Sequence, residues 1–236
     1  ILQLSKNSSM NLFRLLFLIV FFSSCSSKKS ILYVQDIDKE STINVKYLEY
    51  RVKVDDILKI DIITEIIESS KIYNPSRDFS ASNNKESMIF NGYQVDTDGN
   101  INFPSLGKIM VLDHTINMIR NKIFKLLVDN GQLLNPIIDI KLLNAHFTIL
   151  GEVKSPGKYD FVKNNMDIFQ AIGIAGDLTI NGLRTDVKII RDFQGSKTIT
   201  SIDLTKSNFL TGPNFQIFSG DIIIINPNNT RIKNAG

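Results

Sequence analysis

Tyr93-Gln94-Val95-Asp96-Thr97-Asp98-Gly99-Asn100-Ile101-Asn102-Phe103 decides the fold class. Asp98-Gly99 supplies the positive φ angles of a type I′ turn. Tyr93 and Val95 on one arm, and Ile101 and Phe103 on the other, fall on one face at period two, so a β-hairpin is predicted. Pro104 follows, then Leu106-Gly107-Lys108-Ile109. Upstream, Tyr50, Val52 and Val54, then Ile57, Ile60 and Ile62, are broken by Asp55-Asp56. This reads as two strands joined by a tight acidic turn. Residues 69–87 are rich in Ser, Asn and Lys and read as a long loop or partly disordered insertion.

Downstream, Ile116, Ile119, Ile123 and Leu126/Leu127 recur at helical spacing. They predict a helix over Thr115–Asn130, capped by Thr115 and closed by Gly131. Strands are predicted at 137–143 and 147–150, with a bend near Asn144-Ala145. Ser155-Pro156-Gly157-Lys158 reads as a turn with Pro156 fixing φ and Gly157 at positive φ. A short helix covers about 166–174 and ends before Gly176, and strands follow near 186–191, 198–203 and 221–226. Asp55-Asp56-Ile57-Leu58-Lys59-Ile60 has a short echo in Ser219-Gly220-Asp221-Ile222-Ile223-Ile224, each an acid-bearing turn feeding a strand.

The 236 residues are 43% hydrophobic and 22% charged, the balance of a globular chain with one large or two small domains. From Met10, the reading of the start, Arg14 precedes an unbroken apolar run, Leu15–Phe22, followed by Ser23-Ser24-Cys25. That is signal-peptide architecture, and the run is too short to span a bilayer. Losing Lys6 and Arg14 with this leader leaves 25 basic against 24 acidic residues. Scattered basic residues without a concentrated patch argue against nucleic-acid binding. Cys25 is the only cysteine, so no internal disulfide forms. Phe22-Ser23-Ser24-Cys25 resembles a bacterial lipobox, with Phe and Ser where Leu and Gly are usual, and it implies lipid attachment at Cys25. Residues 26–46 then read as a polar tether.

Reactive constellations are sparse. His114 and His146 stand far apart in sequence, and no HExxH, CxxC, GxSxG or GxxxxGK[ST] pattern occurs. Asp96-x-Asp98-Gly99-Asn100 places its glycine fourth rather than sixth, unlike a calcium loop. A glycosidase needs two carboxylates across a cleft, and no pair is singled out. The reading is therefore of no enzyme, cofactor or metal.

Tyr50-Arg-Val-Lys-Val-Asp-Asp-Ile-Leu-Lys-Ile60 and Gly92–Gly107 resemble the two signature blocks of the polysaccharide biosynthesis/export domain. Ile149-Leu-Gly-Glu-Val-Lys-Ser-Pro-Gly-Lys-Tyr159 and Ile168–Leu178 resemble a soluble-ligand-binding β-grasp (SLBB) module. The implied fold class is α+β. The leader occupies 1–25, the tether 26–46, a β-rich export domain 47–145 and a β-grasp-like domain 146–236. The fold-signature residues carried over are Asp55, Asp56, Gly92, Asp98, Gly99, Pro104, Gly107, Gly151, Pro156, Gly157 and Gly176.

The resemblance implies a non-enzymatic part of the envelope machinery that exports capsular or extracellular polysaccharide across the periplasm and outer membrane. It implies a lipid anchor in the outer membrane, a mainly periplasmic body and a homo-oligomeric ring. The implied partners are the transported polysaccharide and an inner-membrane chain-length regulator, often a tyrosine kinase. Many members end in an amphipathic membrane-spanning helix, which Pro227–Gly236 does not supply. The expectation is a fragment, or a member served by a separate outer-membrane component. The alternative function is a periplasmic lipoprotein holding a sugar or small ligand in its β-grasp domain.

Overall fold

Leu58, Ile60 and Ile62 point inward from strand β1 (Ile57–Ile63), while Lys59 and Asp61 face outward and pair at 2.6 Å. This alternation makes one sheet face apolar, so the strand needs a cover. β1 is central in a three-stranded antiparallel sheet, between β2 (Tyr93–Gln94) and β5 (Ile137–Leu142). Helix α1 (Ile67–Ser70) follows β1, and β3 (Asn100–Phe103) and β4 (Gly107–Met110) form a separate hairpin. Helix α2 (Ile116–Asp129) turns Ile119, Ile123 and Leu127 into the core. Each of those side chains contributes about 1.5–3 kcal/mol by burial. The Thr115 hydroxyl accepts from Met118 N at the helix start, and Gly131 lies at φ 65° just beyond its end. The computed structural model describes residues 31–37, 40, 42–74, 89–163, 165–193 and 195–228. The expected leader, Cys25, the first part of the tether, most of the 69–87 stretch and the last eight residues lie outside them.

A second core gathers residues from Phe147 to Ile225. The predicted bend at Asn144-Ala145 separates β5 from β6 (His146–Gly151), which turns back into β7 (Gly157–Asp160). β8 (Met166–Asp167) leads into α3 (Ile168–Ile174), where Asp167 and Gln170 form a capping box. Then come β9 (Gly182–Phe193), β10 (Ser196–Ile202), a 3₁₀ turn at Asn208–Thr211, β11 (Gln216–Ile217) and β12 (Ile222–Pro227). The five-stranded sheet has the order β10-β9-β12-β6-β7, and β12 is parallel to β6 and antiparallel to β9. Gly151 lies where this packing is tightest. Its φ is 92°, and a Cβ there would sit 2.0 Å from the Ile225 carbonyl oxygen. Any other residue would push β6 and β12 apart.

The molecule is β-rich with few helices, as the α+β reading expects, but several local expectations fail. Residues 93–103 do not pair as one hairpin. β2 pairs with β1, and Asp55 N and Val95 N bond to the Val95 and Asp56 carbonyls respectively. The long-range partner wins, so the hairpin shifts one strand on, to Asn100–Met110, and turns through Pro104–Leu106. Tyr93 and Phe103 still share a face, ring centroids 5.1 Å apart. Residues 50–54 form no strand among the described residues; Arg51 makes a single bridge to Thr115. Gly157 is not at positive φ, because it already extends into β7 opposite Ile149.

The 69–87 stretch also departs from a loop at its start. Tyr73 is buried, and Asn74 bonds both the N–H and the carbonyl of Ile62 with its side chain. Residues 31–37 of the expected tether pack on the second lobe, where Val34 N bonds Leu204 O at 3.0 Å and Gln35 N bonds Thr205 O at 2.7 Å.

Candidate functional site

Lys53–Asp56 and Phe218–Asp221 build the same turn twice. In each, the aspartate backbone N–H bonds the carbonyl three residues back, Asp56 to Lys53 at 3.3 Å and Asp221 to Phe218 at 3.1 Å. In each, a carboxylate oxygen accepts from the N–H three residues back at 2.8 Å. The residue before the acid lies at positive φ, 67° for Asp55 and 88° for Gly220. Each acid then feeds a strand, β1 or β12. The weak sequence echo is thus a repeated local structure.

The two turns meet at the junction of the lobes. Tyr50 and Phe218 rings lie 6.2 Å apart, and the Lys53 ammonium donates to Ser219 O at 3.2 Å. Tyr50 donates its hydroxyl to Asp56 at 2.8 Å. Just before it, Leu48 is bonded twice by the Gln216 side-chain amide, at 2.7 and 2.9 Å. His146 N donates to the Ser219 hydroxyl at 3.4 Å, and Asn144 bridges Asp55 O and Ile57 N. The linker is therefore bonded on both sides.

Charge is handled differently in the two turns. Asp221 is buried and meets the Arg191 guanidinium fork, Nε at 2.9 Å and Nη2 at 2.7 Å. Arg191 also donates to Gln216 O and Pro213 O, and lies 4.5 Å from the Phe218 ring centre. This is a bidentate, multiply bonded pair. Asp56 has no such partner in its turn. Burial raises its pKa above the usual carboxylate value, against the opposing pull of the Lys53 N–H, the Tyr50 hydroxyl, and the Lys53 and His146 side chains. Burial, and then the charge of Asp56, likewise pushes the Tyr50 hydroxyl well above its ordinary range.

The other signature residues shape chain reversals across both lobes. Asp55 accepts from Gln94 Nε2 at 3.1 Å, and Gly92 abuts Ile57. Asp96 accepts from Asp98 N at 3.0 Å and Asn100 N at 2.7 Å, so it clamps a turn around buried Gly99; Asp98 itself faces solvent. Pro104 and Gly107 bracket the β3–β4 turn, Pro156 precedes β7, and Gly176 follows α3 at φ 81°. Asp55, Asp56 and Gly92 lie around the start of β1, and Pro104 and Gly107 around the β3–β4 turn. His114 and His146 each bond a backbone carbonyl two residues back through Nδ1. Among the described residues, no group of three or more His, Cys, Asp or Glu converges as a metal cluster. Sequence reasoning missed Tyr50, Lys53, Arg191, Gln216 and Phe218 as junction residues; the echo was the signal for Asp221. A polar cavity of about 340 Å³ also opens in the second lobe, lined by Thr185, Ser201, Asp203, Asn208 and Asn214 around Phe209.

Residues 44–143, which carry the first of these turns, match the family model described as "Polysaccharide biosynthesis/export protein". This first lobe therefore carries a domain of the polysaccharide biosynthesis/export family. The chain is 23% identical over 199 residues to the "EPS I polysaccharide export outer membrane protein EpsA" of Ralstonia solanacearum, covering 82% of this chain and 52% of that one. It is 27% identical over 184 residues to the protein of the same name from Ralstonia nicotianae, covering 75% and 47%. The chain spans about half the length of these curated relatives. The family match contains the whole core from Val52 to Ile140, so the export-family domain is the first lobe together with the Tyr50–Asp56 turn.

Proposed function

We propose that this protein is a non-enzymatic component of the machinery that carries capsular or extracellular polysaccharide across the periplasm and outer membrane. The observation that carries the reading is the export-family match over the first lobe, with relatives named for the export of a polysaccharide at the outer membrane. The signature acids and glycines support it, because their contacts form turns and a lobe junction. In this reading Cys25 carries the lipid, the body faces the periplasm, and copies assemble into a ring that meets an inner-membrane chain-length regulator. The second lobe is read as a β-grasp module. Its hairpin, helix and parallel β6–β12 pairing, in the order β10-β9-β12-β6-β7, favour that assignment.

Deleting the gene tests the export role. Surface polysaccharide should disappear while polymer synthesis persists, and normal surface polysaccharide in the deletion strain would overturn it. The polar second-lobe cavity favours a second reading, a ligand-binding lipoprotein. Isothermal titration showing tight binding of a small saccharide to the monomer, lost in Asn208→Leu, would support that reading instead.

A further inference from the structure

β12 reads Ile222-Ile223-Ile224-Ile225, apolar on both faces of the sheet it joins. A strand of that composition is ordinarily covered on both sides. Ile223 and Ile225 enter the second core, to which α3 contributes Ile168, Ala171 and Ile172. Ile222 and Ile224 point out of the opposite face and are only half-buried. Strand register widens that outer face. Ile199, Ile190 and Ile222 stand in one row across β10, β9 and β12, and Ile224 and Leu150 lie side by side in the next, on β12 and β6. Ile199 is 65% exposed and Leu150 43%. Among the described residues, none of these five packs against either core.

The far side of the lobe carries a surface that fits it. Because α3 turns its core residues toward the sheet, Gln170, Gly173 and Ile174 look the other way. With Phe161 and Val162 alongside and Met166 as the floor, they line an open groove of about 500 Å³. Gly173 is the unexpected member, since glycine weakens a helix relative to alanine. It is not at positive φ, and an added Cβ would meet nothing within 4 Å. The fold of a single copy gives no reason for glycine there. A surface that approaches the helix backbone does, because the missing side chain deepens the groove.

We infer that the outer sheet face of one copy seats on the α3 groove of the next; this rests on the ring reading above and assigns its contact surfaces. The neighbour's helix then covers the outer face as the chain's own α3 covers the inner one, giving helix–sheet–helix layers. The two surfaces differ and lie on opposite sides of the lobe, so the contact is head-to-tail and repeats from copy to copy. Area argues against a lone pair. The apolar outer face measures about 300 Å² from strand spacing and rise, against roughly 800 Å² per partner in a standard interface. A contact of that size holds when it is repeated round a closed assembly.

Cross-linking tests the pairing. In the full chain, Cys25→Ser removes the native thiol, and Ile199→Cys and Ile174→Cys are introduced singly and together. In detergent, a short bis-maleimide should give the double variant a ladder running beyond the dimer, while each single variant stays unlinked. Dimers from Ile199→Cys alone would reveal a two-fold contact and overturn the inference. Light scattering on the same chains and on the wild type separates the two readings. An oligomer without the ladder overturns the inference and leaves the ring standing, whereas single copies throughout overturn both. Gly173→Leu fills the groove. It should abolish the oligomer while the monomer melts no lower than the parent, because the new side chain enters open space. An oligomer that survives Gly173→Leu overturns the inference.

Discussion

The Asp56 turn and the Asp221 turn share backbone geometry but differ in how a buried acid is tolerated. Asp221 meets a cation that is itself bonded to two carbonyls, whereas Asp56 relies on a phenol, a backbone N–H and a lysine directed mainly at Ser219. A turn that must direct a strand needs a carboxylate acceptor; whether that carboxylate is comfortably ionised depends on what packs around it. The second lobe has a neutralised, fixed turn. The first has one whose energy depends on protonation.

The largest effect should come from removing the cation. Arg191→Met leaves a buried carboxylate uncompensated and should cost about 3–5 kcal/mol in urea unfolding. A loss below about 1 kcal/mol would erase the contrast between the turns. Next, Asp56→Ala strands the Tyr50 hydroxyl and Lys53 N–H and should cost about 1–3 kcal/mol, while Asp56→Asn, which keeps an acceptor, should cost less.

The same pair separates by pH. Because the folded-state pKa of Asp56 is raised, the folded state holds its proton more tightly than the unfolded chain. The stability this gives is complete below the ordinary value of 3.8 and is lost as pH rises through the raised value. Relative to Asp56→Asn, the wild type should therefore lose stability as pH climbs from about 3.8 upward. Melting curves of both proteins across that interval would show parallel lines if the contrast is false.

The smallest effects concern the positive-φ residues. Gly220→Ala should cost about 1 kcal/mol from backbone strain alone, since nothing lies within 4 Å of the added Cβ. Asp55→Gly should gain a few tenths to about 1 kcal/mol, less the exposed bond to Gln94. Thermal melts giving the same sign for both would show that the two turns are not equivalent.

Local chemistry was readable where partners lie close in sequence. The α2 spacing, its Thr115 cap, Gly131 and the short helix before Gly176 needed only neighbours. The 93–103 hairpin was misplaced because Tyr93 and Val95 have partners nearly forty residues upstream, on β1 and the turn before it. Tyr73 looked like part of a polar loop, since nothing local announces a buried ring. At the junction, the acids Asp55 and Asp56 stood out as a turn. Arg191 did not, because an arginine in an alternating strand reads as solvent-facing until a carboxylate thirty residues on is folded against it. Tyr33 was hidden in the same way by its partners Asp177, Phe169 and Arg184.

The placement of β12 governs the order of events as the chain emerges N-terminus first. The first core, Val52 to Ile140, can close as soon as β5 is available. The second sheet has a gap at its middle until β12 inserts between β6 and β9, pairing with β6 more than seventy residues upstream of it. Until then β6 and β9 present unpaired edges, and Tyr33 has no finished surface to dock on. Such late, long-range closure is slow and exposes aggregation-prone edges. A half-emerged copy therefore spends its most vulnerable interval with its export-family lobe already folded and its second lobe open, the state that a chaperone or protease would meet.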